Sequence, residues 1–153
     1  MLVYRLSRKK YKDLLSGYGA SLNGQRWNSK GTEVVYTAQI RALANSEIAV
    51  HISLGLLPMD YYMVEIEIPD TIKICEIRED ELPAGWVSRP CQTVSQFIGD
   101  NFVMEGKCAV LAVPSVVVKG ESNFILNPRH EDFKLNKIIN TEPFPLDPRY
   151  LSL

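Results

Sequence analysis

Apolar residues in this chain fall mostly into short runs that alternate or are β-branched, and a single segment, from Ile40 to about Leu57, sustains a long helical period. That pattern points to short strands packed under few helices. Leu2, Tyr4 and Leu6 alternate with Val3 and Arg5, and Glu33–Thr37 is β-branched and aromatic, so both read as strands. Val64, Ile66 and Ile68 face one way and Glu65 and Glu67 the other, which predicts a half-solvated strand over 63–68. Further strands are predicted over 72–77, 108–113 and 116–118, the last two parted at Pro114. Helices are predicted over 9–15, from Thr37 or Gln39 to about Leu57, and over 93–103, with a loop at 16–31 punctuated by Gly17, Gly19 and Asn23-Gly24. The expected fold class is α+β, one compact domain over 1–153 with a mixed or antiparallel sheet core. Pro143, Pro145 and Pro148 predict an extended C-terminal tail over about 141–153.

Charge excludes some functions. Lys and Arg total 17 against 18 Asp and Glu, so no summed field grips a polyanion, and nucleic acid is not an expected partner. Cys75, Cys91 and Cys108 are odd in number and lie in or beside apolar stretches, which predicts small buried hydrophobes in a reducing cytoplasm rather than a disulfide framework. No stretch reaches the roughly 18 to 20 apolar residues of a membrane span, and the charged start of the chain does not read as a signal peptide. His51 and His130 have no partner at metal-ligand spacing, so no metal site is expected. Gly19 to Gly24 has P-loop glycine spacing, but Gln25 and Arg26 stand where Lys and Ser or Thr are needed. Ser115 follows Pro114 outside any Gly-x-Ser-x-Gly frame and reads as a hydrogen-bonding donor, not a nucleophile.

Within the long helix, positions 40, 43, 44, 47, 48, 51 and 54 share one side, and all are apolar except Glu47 and His51. A carboxylate set inward needs a partner or a wet pocket, since unpaired burial costs on the order of several kcal/mol. Either Glu47 and His51 satisfy each other at i to i+4, or Glu47 belongs to an active site. The loop Gly24-Gln25-Arg26-Trp27-Asn28-Ser29 favours the second reading. It gathers a planar cation suited to phosphate, an aromatic face for a ligand or for Arg26, and an amide.

Taken in order, Val3-Tyr4-Arg5-Leu6, Gly24-Gln25-Arg26-Trp27-Asn28, Val34-Val35-Tyr36-Thr37-Ala38, Leu43-Ala44-Asn45-Ser46-Glu47, Val113-Pro114-Ser115 and Asn123-Phe124-Ile125-Leu126-Asn127-Pro128 with His130 resemble the RES-domain family over nearly the whole chain. Gln39-Ile40 before the helix and Glu131 after His130 depart from the family pattern. The resemblance implies a fold like that of ADP-ribosyltransferases and a toxin that cleaves the nicotinamide–ribose bond of NAD by hydrolysis or phosphorolysis. It implies Arg26, Glu47 and Ser115 as catalytic residues and Arg5, Tyr36 and Asn123 as substrate-binding residues. NAD enters as substrate, with no separate cofactor. Implied partners are an Xre-type antitoxin and a second copy of the chain. Transfer of ADP-ribose to a protein and noncatalytic nucleotide binding are the alternatives; a ribonuclease would need a basic groove that this composition does not provide.

Overall fold

The computed structural model describes residues 1–51, 59–89 and 93–151. Seven strands form one mixed sheet: β1 (Leu2–Arg8), β2 (Val35–Ala38), β3 (Tyr61–Glu67), β4 (Ile74–Glu76), β5 (Val110–Pro114), β6 (Ser122–Leu126) and β7 (Lys137–Pro143), in the order β4-β5-β6-β2-β1-β3-β7. Every neighbouring pair is antiparallel except β4 with β5. The helices are α1 (Tyr18–Asn23), α2 (Arg41–Ala49) and α3 (Thr93–Glu105). The chain is thus a single α+β domain.

Strand alternation sorts the core into layers. Val3, Val35, Val64, Ile66, Phe124 and Leu126 pack on one face of the sheet. On the other, Leu6, Ala38 and Met63 meet Leu43 and Ala44 of α2, while Leu111, Val113 and Ile125 meet Phe102 and Val103 of α3 together with Trp27 and Trp86. Met63 is fully buried although the sequence pattern assigns its face of β3 to solvent, because α2 covers the sheet there. Arg41, the first residue of α2, donates to Glu65 of β3 at 2.5 Å and to Glu142 of β7, which fixes the helix across the strands.

One irregularity in the sheet matters for function. Along its whole length β1 pairs with β3, but with β2 it shares the single register pair Tyr4↔Ala38. Past that pair the two strands part, and Arg5, Leu6, Tyr36 and Thr37 line the gap.

Several expectations change. The segment 116–118 is a turn, not a strand: the N–H groups of Val117 and Val118 donate to Ser115 Oγ at 3.0 and 3.1 Å, so they cannot join a ladder. The following strand is β6. The helix expected to reach Leu57 ends at Ala49, and the end of that expectation, 52–58, lies outside the described residues. β7 runs to Pro143, and beyond it Leu146 is buried under α2.

One part of the cysteine expectation changes: Cys108 is buried and Cys75 half-buried in an apolar cluster, as small hydrophobes should be, but the two are paired. Cys75 and Cys108 form a disulfide, with Cα atoms 5.9 Å apart. Parallel pairing of β4 with β5 brings together two residues separated by 33 positions, a proximity that spacing alone conceals. Cys91 lies outside the described residues.

Candidate active site

Where β1 and β2 part, a cleft of about 820 Å³ opens, bounded by α2 on one side and the loop at 24–27 on another. Its lining includes Arg5, Arg26, Tyr36, Glu47 and Asn123, five of the six site residues expected from sequence. Ser115 is buried behind it. The volume falls within the range of small-molecule and cofactor sites.

Glu47 projects from the sheet side of α2 and is half-buried. Asn123 Nδ2 of β6 donates to its Oε1 at 2.6 Å, and Ser115 Oγ donates to the same oxygen at 3.0 Å. Two donors on one oxygen fix the carboxylate's rotamer, and among the described residues Oε2 takes no hydrogen bond. The acid is therefore oriented by protein on one side and open to a ligand on the other. Ser115 Oγ, which also accepts from two backbone N–H groups, has its own proton directed at Glu47. Mutual satisfaction of Glu47 and His51 does not occur: His51 is exposed just past the end of α2, where it lines the cleft.

Arg5 supplies the opposite charge. Its Nη1 is buried and, among the described residues, has no hydrogen-bond partner. Burial pushes its pKa below the ordinary arginine value, yet a guanidinium stays protonated, so an uncompensated cation sits where the strands diverge. An anionic ligand would compensate it. Replacing Arg5 by Met, which fills similar space without charge, is expected to stabilise the empty protein by about 1 kcal/mol, or roughly 2–4 °C in melting temperature. Calorimetry showing a lower melting temperature for the variant would contradict that view of Arg5.

The loop carrying Arg26 is held from three directions. Asn28, fully buried, donates through Nδ2 to the carbonyls of Ala20 and Thr32, each at 2.9 Å. Tyr36 donates its hydroxyl to Asn28 Oδ1 at 2.8 Å and accepts from Trp27 N at 2.9 Å. From α3, Asp100 accepts from the backbone and the hydroxyl of Ser29, at 3.0 and 2.5 Å, and Gln96 donates to the carbonyl of Gln25 at 3.0 Å. Tyr36 thus anchors the loop by its tip while its ring faces the cleft. Tyr36→Phe leaves Asn28 Oδ1 short of a donor in the interior, and denaturant titration is expected to register a loss of about 1–3 kcal/mol.

Trp27, expected to offer a ring face to a ligand or to Arg26, is instead buried against Trp86 with ring centroids 6.2 Å apart. The Arg26 guanidinium donates to the carbonyl oxygens of Trp86 and, at 3.3 Å, Ser88. The sequence reading missed Gln96, Gly99 and Asp100 as supports of this loop, since on α3 they read as an ordinary helix. Among the described residues no group of three or more His, Cys, Asp or Glu side chains is placed to hold a metal ion, and no helix is long and apolar enough to cross a membrane.

Comparisons with known proteins identify the family. The Prs ADP-ribosylating toxin of Sphingobium sp. strain YBL2 is 41% identical over 141 residues, covering 91% of this chain and 88% of its own. Toxin Res of Photorhabdus laumondii is 39% identical over 143 residues, with 92% and 89% covered, and Toxin Res of Yersinia enterocolitica is 34% identical over 152 residues, with 97% and 99% covered. In fold, the chain is similar to one in the crystal structure of the M. tuberculosis MbcT–MbcA toxin–antitoxin complex, with a TM-score of 0.75 at 16% identity over 99% of this chain and 87% of that one. The model of the RES domain matches residues 2–147, which takes in the split strands, the Arg26 loop, Glu47 and its two donors; the chain belongs to the RES domain family.

Proposed function

We propose that this protein is the toxin of a bacterial toxin–antitoxin pair and that it depletes NAD by cleaving the bond between nicotinamide and ribose. The observation that carries the reading is a carboxylate fixed by two donors on the same cleft as a half-buried cation, Arg5, whose buried Nη1 has no hydrogen-bond partner among the described residues. Cleavage of that bond builds positive charge on the ribose, which Glu47 Oε2 stabilises through space or through the ribose hydroxyls. Nicotinamide departs neutral, so no acid is required. Water adds at the anomeric carbon and loses a proton, giving ADP-ribose; phosphate in place of water gives the ribosyl phosphate. Arg5, with Arg26 beside it, faces the pyrophosphate, Tyr36 packs on the nicotinamide or ribose, and Asn123 and Ser115 hold Glu47.

The decisive measurement is nicotinamide release from NAD by purified protein, with products identified by mass spectrometry in the presence and absence of inorganic phosphate. NAD left intact after long incubation would end this reading. The name of the Sphingobium relative favours a second outcome, transfer of ADP-ribose to a protein acceptor. Radiolabel from NAD retained on a candidate acceptor after denaturing electrophoresis would establish it. The toxin names of the relatives and the toxin–antitoxin complex that contains the similar chain support an antitoxin as partner; that it is of Xre type and covers the cleft, that the chain forms a homodimer and that it is cytoplasmic belong to the same proposal.

A further inference from the structure

The charge of the cleft departs from that of the chain. Formal net charge is −1 overall, whereas the titratable lining includes Arg5, Arg26 and Arg89 with Glu47 as its carboxylate. These cations are not equivalent. Arg5 is half-buried at the strand split with its Nη1 fully covered, and Arg26 donates to the carbonyls of Trp86 and Ser88. Arg89 is exposed, lines the cleft, and among the described residues makes no hydrogen bond or ion pair.

Its placement follows from what Arg26 does. The segment before Arg89 is a tight turn in which Trp86 N donates to the Pro83 carbonyl at 3.2 Å and Ser88 N to the Gly85 carbonyl at 2.9 Å. Arg26 grips that turn by two carbonyls, and Trp86 packs on Trp27, so the turn is fastened to the loop at 24–27. Arg89 follows the gripped residue directly. A guanidinium whose donors already serve carbonyls has fewer left for phosphate, while the one next to it has all five.

We propose that Arg89 is a phosphate-binding residue of the cleft, engaging the pyrophosphate of a dinucleotide together with Arg5, and that Arg26 positions it by holding the turn at 83–88. The inference rests on the NAD-cleavage reading. It assigns to Arg89 a contact made equally in ground and transition states, which changes KM more than kcat.

The test is calorimetric binding of ADP-ribose and of adenosine to the full chain and to Arg89→Ala and Arg89→Lys, with Lys107→Ala as a control that removes one cation paired with Glu105 outside the cleft. Arg89→Ala is expected to weaken ADP-ribose about tenfold, the effect of losing one charged hydrogen bond, with partial recovery in Arg89→Lys. Adenosine affinity stays the same, Lys107→Ala binds ADP-ribose as the parent does, and Arg89→Ala shows a flatter salt dependence. Unchanged ADP-ribose affinity in Arg89→Ala, or an equal loss for adenosine, overturns the proposal. A parent chain that releases nicotinamide but binds no ADP-ribose overturns it and leaves NAD cleavage standing; one that does neither overturns both.

Discussion

Glu47→Gln is expected to fold like the parent chain and to release nicotinamide from NAD about 10²-fold more slowly, or slower still. The substitution keeps the shape of the side chain and an oxygen able to accept from Asn123 Nδ2 and Ser115 Oγ, so the two hydrogen bonds that fix the rotamer survive. What disappears is the negative charge facing the cleft. Since that charge acts on a cation present only at the transition state, the loss falls on kcat and leaves the affinity for NAD nearly intact. Steady-state kinetics together with a melting curve separate this from damage to the fold. Parent-like turnover would remove Glu47 from the chemistry, and an equal fall in stability would recast it as a structural acid.

The second large effect is expected from a residue with no polar atom in its side chain. A Cβ built on Gly99 of α3 would stand 1.7 Å from the carbonyl oxygen of Trp27 and 2.6 Å from its carbonyl carbon. Both are backbone atoms in the loop that carries Arg26, so neither can swing aside. Gly99→Ala is therefore expected to cost about 3 kcal/mol, at the upper end of overpacking effects, and to lower the melting temperature by roughly 6–12 °C. Nicotinamide release falls with it, because displacing Trp27 moves Arg26. Gly19→Ala makes the instructive contrast: its Cβ would meet nothing within 4 Å, and in α1 the change is expected to be neutral or stabilising by up to about 1 kcal/mol. If Gly99→Ala melted like Gly19→Ala, the close approach of α3 to the loop would be refuted.

Legibility in the sequence followed the range of the interaction. Strands β1, β2 and β3 and helix α3 were readable because alternation and helical period are local properties of a dozen residues or fewer. Glu47 stood out for the same reason, as an acid on the buried side of a helix. Arg26 stood out with its loop, and the other site residues came from the resemblance to a family, whose ordered fragments located Arg5, Tyr36, Ser115 and Asn123 without saying how they meet. β6 and β7 were not read, since Ser122-Asn123 is polar at the start of one strand and Asn140, Glu142 and Pro143 interrupt the other.

By itself the sequence determined an α+β domain and an inward acid beside a loop built to carry a cation, because burial patterns are written in residue order. Tertiary structure alone decided which donors orient that acid, that Trp27 belongs to the core, that Cys75 reaches Cys108, and that β1 and β2 part to make the cleft. The reason is physical: each of these depends on which strand edges pair and on how closely α3 can approach a loop some 70 positions away in the chain, as in the 71-residue span between Ser29 and Asp100. Contacts of that range are fixed by the packing of the whole sheet, and no local pattern of apolar and polar residues encodes them.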